Sequence, residues 1–209
     1  MLVAAIAQQV VGWGWLVDFD MAAVRLAKRV APSRELLLVT DKLGLRGLII
    51  SICIPWMLVV SRRSRNWAPI TGFMLVFLFE TGMAGSLKMA VGRTFPYQKE
   101  MALGTESLAF PSGHAANAFA LWGFIAWYLA ERRKDLRTLI YGLFVVALGI
   151  VGASSWLLRT HWPTDLIAGF ALGAIALFAV VGALTALDLN PSATPRRLRE
   201  GPRENQGVR

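Results

Sequence analysis

His114 and His161 are the only two histidines among 209 residues, and each lies in a short polar segment beside a long apolar run. Three such segments carry residue types that can grip an oxyanion and move a proton: 88–96 (KMAVGRTFP), 111–114 (PSGH) and 154–165 (SSWLLRTHWPTD). Pro111 and Ser112 precede an apolar run, which predicts a helix start with Ser112 as its N-cap. The free N–H groups and dipole of such a start form an anion site, and Gly113 lets backbone approach a ligand closely. His114 falls in that first turn, where an imidazole can donate a proton to a leaving oxygen. Taken alone, the same four residues equally describe a cap with an interfacial histidine.

In His161-Trp-Pro-Thr-Asp165, Pro163 suits the first turn of a helix, and Asp165 lies four residues from His161, within reach around a helix start. A carboxylate on one imidazole nitrogen fixes the tautomer and leaves the other free as base or nucleophile. A simple capping pair reads the same way. Lys88 closes an apolar run, and Arg93 follows in a Gly-bearing loop. One is a point charge and the other a fork, both suited to phosphate oxygens or to anchoring a helix end at lipid headgroups. A metal site needs more His, Cys or carboxylate ligands than these segments supply, so none is expected. Glu80 lies inside an apolar run, and an ionisable residue at that depth is a functional candidate or a partner for a polar group on a neighbouring helix.

These residues need elements to hold them. With 56% hydrophobic residues, the chain is too apolar for an ordinary soluble domain. Five runs suit membrane helices: 43–60, 67–87, 112–130, 138–158 and 166–187. Arg46 interrupts the first and can snorkel to the interface. The expected fold is an all-α, polytopic transmembrane bundle occupying 1–188, followed by a disordered basic cytoplasmic tail over 189–209. Residues 1–17 fit a short sixth span, an interfacial helix or a signal-like segment. The absence of a basic n-region and a cleavage site argues against removal. Residues 18–42 mix apolar and basic positions and read as an amphipathic segment on the membrane surface. Cys53, the single cysteine, excludes an intrachain disulfide.

The net charge of +9 is not a nucleic-acid signature, because the cations cluster in loops and tail beside apolar runs. The loops 61–65 (SRRSR) and 131–137 (ERRKDLR) and the tail share one side if crossings alternate. The positive-inside rule makes that side cytoplasmic and puts all three polar segments together on the other. The basic 18–42 segment, which then lies outside, runs against the rule.

The order and spacing of the three segments resemble the type 2 phosphatidic acid phosphatase family, whose site is shared with vanadium haloperoxidases. The family pattern is Lys, six residues, Arg-Pro; then Pro-Ser-Gly-His; then Ser-Arg, five residues, His, three residues, Asp. Lys88 and Pro96 match the first part, Pro111 to His114 the second, and Ser154, His161 and Asp165 the third; the likeness covers about 67–187. It implies that His161 attacks phosphorus, Asp165 orients it, and His114 protonates the leaving group. Lys88, Ser112 and the Gly113 backbone would hold the phosphoryl oxygens, without a metal or other cofactor. Two family arginines are missing: Phe95 and Ser155 stand in their places. Arg93, two residues before Phe95, and Arg159, four after Ser155 and on the same face of a continuing helix, are the expected substitutes.

The resemblance implies an integral membrane phosphatase acting on a lipid phosphate or diphosphate, in a cell inner membrane, with its site facing the periplasm or exterior. The alternatives are a phosphotransferase between lipids and a non-catalytic phospholipid-binding or transport protein; a haloperoxidase is more remote. Nothing in the sequence sets the oligomeric state. Membrane-impermeant labelling of single cysteines should place positions 99 and 133 on opposite sides; labelling from one side would refute this sidedness.

Overall fold

The computed structural model describes residues 1–98, 102–187 and 189, and the described residues form helices joined by short turns, with one longer loop between 92 and 112. The tail expected over 189–209 lies, save Leu189, outside the described residues. In chain order the helices are α1 Leu2–Val11, α2 Trp15–Val30, α3 Arg34–Asp41, α4 Arg46–Ser64, α5 Ala68–Val91, α6 Gly113–Asn117, α7 Gly123–Arg132, α8 Arg137–Leu157 and α9 Pro163–Ala186. A π-helical turn, Ala118–Trp122, joins α6 to α7 without a break in helical backbone.

Four helices are long and apolar enough to cross a membrane: Arg46–Ser64, Ala68–Val91, Lys134–Leu157 and Pro163–Ala186. The fifth expected span, 112–130, is helical from Gly113 to Arg132 but passes through the π turn. The outer face of α8 and α9 leaves Leu139, Leu143, Val145, Val146, Ile175 and Phe178 exposed. Such a face is stable only in hydrocarbon, and the chain is a multi-pass membrane protein.

The N-terminal segments fold into α1, α2 and α3. α1 has 10 residues, about 15 Å of helix, too short for a bilayer core of about 30 Å. It bends 84° into α2 across the Gly12–Gly14 turn. Ile6 and Val10 of α1 pack with Val91, Phe110 and Ala168, so α1 wedges against the ends of α5 and α9. α2 is amphipathic as expected, but its buried stripe Val17, Asp20, Val24 and Ala27 includes a carboxylate. α3 packs on α8. The 18–42 segment is therefore part of the protein interior as well as of its surface.

The core places α9 against α6 and the π turn. A Cβ on Gly169 would sit 2.4 Å from the Ser112 carbonyl oxygen, and one on Gly173 would sit 2.5 Å from that of Ala116. Opposite them lie Ala115, Ala116, Ala118 and Ala120, all fully buried. Small residues at four-residue spacing let two membrane helices approach at backbone distance. Deeper, Ile49, Cys53 and Met57 of α4 interlock with Phe73, Val76, Leu121, Phe124 and Tyr128. Arg46, at the start of α4 and partly exposed, also reaches inward: its guanidinium donates to Asn117 Oδ1 at 3.1 Å and to the buried Glu80 at 3.4 Å. That satisfies part of the expectation for Glu80, which finds its partner on a neighbouring helix.

Replacing Gly169 with Ala forces α9 off α6. The expected cost is ~1–3 kcal/mol, the usual range for an overpacked core, read as a lowered unfolding temperature in detergent.

Candidate active site

Four helix ends and one loop meet at one end of the bundle. The last turn of α5 brings Lys88, and the start of α6 brings Ser112, Gly113 and His114. The end of α8 brings Ser154 and Ser155, while the turn into α9 brings His161 and Asp165. A backbone hydrogen bond from Ser112 N–H to the Asp165 carbonyl, 2.9 Å, ties the starts of α6 and α9 together. Ser112 caps α6 as expected, its Oγ accepting the Ala115 N–H at 3.3 Å. Lys88 runs past the helix start, 3.8 Å from where a Cβ on Gly113 would lie, and its Nζ donates to the Leu108 carbonyl.

The two imidazoles face each other with ring centroids 6.3 Å apart. His161 is buried, and its Nδ1 lies 3.6 Å from Asp165 Oδ2, closer than to any other carboxylate partner it shows among the described residues. That separation is long for a hydrogen bond. Catalytic hydrogen bonds often tighten only once substrate is bound. Asp165 is itself held. Its Oδ2 accepts the Trp162 N–H at 3.0 Å, which caps α9, and its Oδ1 accepts Arg93 at 2.6 Å.

Arg93 does not line the expected cradle. Its guanidinium is fully buried, donating to Asp165 and Thr164 through one nitrogen and to Asp20 at 2.6 Å through another. It also stacks over Trp162 at 5.0 Å. A guanidinium committed to two carboxylates is not available to a phosphoryl group. Arg93 instead braces the carboxylate beside His161. Asp20 was not foreseen: it also accepts the Thr164 N–H at 3.0 Å and the Thr164 hydroxyl.

Arg159 departs from expectation for a local reason. The inference needed α8 to continue to Arg159, but α8 ends at Leu157. Arg159 has φ of 59°, and the bonds Arg159 N–H to Trp156 O and Thr160 N–H to Ser155 O close a Schellman-type stop. Its side chain lines a cleft of about 270 Å³ with Lys28, Arg34 and Leu37, on the side of α2 and α3.

The two positions that lack the family arginines hold something else. Phe95 lies with its ring 5.7 Å from that of His161 and stacks on Tyr97 at 5.3 Å, forming an aromatic wall. Ser155 is buried and donates its hydroxyl to Asp41. Asp41, the second residue that sequence reasoning missed, also lies 3.5 Å from His114 Nε2. Asp20 and Asp41 sit in a segment read as a membrane-surface helix, and only an acidic residue on its buried stripe hinted at more.

Comparison with known proteins identifies the family. The PAP2 superfamily model matches residues 69–187, and the chain belongs to that superfamily. It is 35% identical over 79 residues to phosphatidylglycerophosphatase B of Bacillus subtilis (strain 168), over 36% of this chain and 39% of that protein's length. Its fold resembles the crystal structure of a transmembrane PAP2-type phosphatidylglycerolphosphate phosphatase from Bacillus subtilis, with TM-score 0.69 and 24% identity over 89% of this chain and 92% of that one. It also resembles Aquifex aeolicus LpxE, with TM-score 0.61 and 16% identity over 78% of this chain and 94% of that one.

Removing Arg93 leaves two buried carboxylates without their shared cation. Arg93→Gln should lose about 3–5 kcal/mol, as for other broken buried ion pairs, and adding Asp20→Asn should restore part of it, read by thermal unfolding.

Proposed function

We propose that this protein is an integral membrane phosphatase that hydrolyses a lipid phosphate or diphosphate through a phosphohistidine on His161. The observation that carries this reading is the pair of opposed imidazoles, one backed by Asp165 and the other at the start of α6. His161 Nε2 attacks phosphorus while Asp165, closing on Nδ1 once substrate is bound, orients the ring and stabilises its developing charge. The bond to the leaving oxygen breaks, and His114 gives that oxygen its proton. Water, deprotonated by the now neutral His114, then attacks the phosphohistidine and releases inorganic phosphate. Lys88, Ser112 and the N–H groups at the α6 start are the candidate phosphoryl contacts. Among substrates, phosphatidylglycerol phosphate is the first to test, because the relative with the matching segment is a phosphatidylglycerophosphatase.

Sidedness supports a site on the outer face of an inner membrane. The arginines at 62–65 and 131–137 cap the ends of α4 and α7 away from the histidines. A phosphotransferase would use the same phosphohistidine with a lipid acceptor in place of water. The non-catalytic alternative gains from one observation: with Arg93 paired to two carboxylates and Arg159 lining a cleft beside α2 and α3, the site has fewer cations for a phosphoryl group than the family pattern provides.

Purified protein should release phosphate from at least one member of a lipid-phosphate panel, with or without chelator. His161→Ala should abolish release, and His114→Ala should reduce it ~10²–10⁴-fold, the typical contribution of proton transfer. Full activity in His161→Ala, or no release from any lipid phosphate, would rule out the proposed chemistry.

A further inference from the structure

We propose that Asp41 is the positioning residue of His114, holding the imidazole and its proton toward the leaving group, with Ser155 anchoring the carboxylate. The proposal rests on His114 acting as the acid of the reaction above.

The geometry is built from both sides. Asp41 ends α3 and is turned into the site, its carboxylate 15% exposed. One oxygen accepts the hydroxyl of the fully buried Ser155 on α8, and the other lies 3.5 Å from His114 Nε2. The preceding residue is pinned to the same helix, Thr40 Oγ1 lying 2.6 Å from Ser154 Oγ. Three residues after Asp41, Gly44 packs against His114: a Cβ there would lie 2.9 Å from the His114 Cβ and 3.0 Å from its carbonyl oxygen. The α3–α4 turn therefore touches His114 at both its backbone and its ring. Three charged or titratable groups face the ring: Asp41 from α3, His161 from the start of α9 and Lys88 from α5. Asp41 is the one anion among them.

A serine where the family pattern has arginine fits this arrangement. An arginine on Asp41 would spend the carboxylate on a fixed ion pair. A serine hydroxyl holds one oxygen and leaves the charge for the imidazole. The bond to the leaving oxygen breaks with its electron pair, that oxygen takes the His114 proton, and Asp41 remains a carboxylate throughout.

In the step that forms the phosphohistidine, which kcat/KM reports, a residue that acts through the acid matters only when the leaving group needs a proton; the later attack of water, which His114 assists as base, is common to every substrate. An alkyl alcohol leaving from a lipid phosphate needs one; an acidic phenol leaving from p-nitrophenyl phosphate scarcely does. Phosphate release from both esters by full-length protein in detergent tests this. Asp41→Asn should lower kcat/KM about 10–100-fold on the lipid ester, part of the ~10²–10⁴-fold that proton donation supplies, and less than about threefold on the aryl ester. His114→Ala should show the same asymmetry in kcat/KM and lower kcat on both esters, because the base for water attack is lost as well, whereas His161→Ala should lose both activities. Should Asp41→Asn lower the unfolding temperature, Ser155→Ala carries the same comparison, because it keeps the carboxylate and removes its anchor. Equal losses on the two esters, or no loss on either, would overturn the role of Asp41. A wild-type protein that releases phosphate from neither ester would instead refute the phosphatase reading itself.

Discussion

One buried guanidinium holds the site end of this bundle together. Arg93 joins Asp20 on α2 to Asp165 on α9, with Thr164 filling the space between the two carboxylates. All three charged side chains are completely buried. Each would be costly there alone, and together they are tolerable only because the forked donor meets both carboxylates with short bonds. The consequence is directional. The Asp165 oxygen that Arg93 occupies is the one turned away from His161, so the other is left for the imidazole and the α9 cap. The N-terminal helices are thereby tied to the chemistry through a chain of charge.

Close approach of α9 to α6 sets the scale of the site. Gly169 and Gly173 bring the α9 backbone against the carbonyl oxygens of Ser112 and Ala116. The Ser112 N–H reaches the Asp165 carbonyl in the same region. The starts of α6 and α9 therefore lie side by side. In a bilayer, where unsatisfied backbone groups are costly, such irregular backbone persists only where it is buried in protein or lines a polar cavity. The histidines occupy that place, one in the first turn of α6 and one just ahead of α9.

The electrostatic character of the site is less cationic than the family pattern implies. Phe95 supplies a ring against His161 where an arginine is expected, and Ser155 hands its position to Asp41. Arg46, Glu80 and Asn117 form a further polar group inside the membrane, linking α4, α5 and α6. A phosphoryl group here would depend on Lys88 and backbone N–H groups more than on guanidinium forks. That favours a point-charge contact over bidentate recognition.

The sequence by itself determined the membrane class, four long apolar helices, and the helix starts beside which the two histidines lie. These follow from composition, apolar run length and short-range capping rules, which act within a few residues. It also carried Asp165, because a four-residue spacing is local. Tertiary structure alone decided what Arg93 does. Arg93 pairs with a carboxylate 73 positions away, a contact no local pattern encodes. Arg159 lost its expected place because α8 stops in a left-handed turn rather than continuing. Asp20 and Asp41 became site residues only when α2 and α3 folded in from the membrane surface. Which side of an amphipathic helix meets protein is settled by what packs against it, and here the partners are helices encoded more than a hundred residues later.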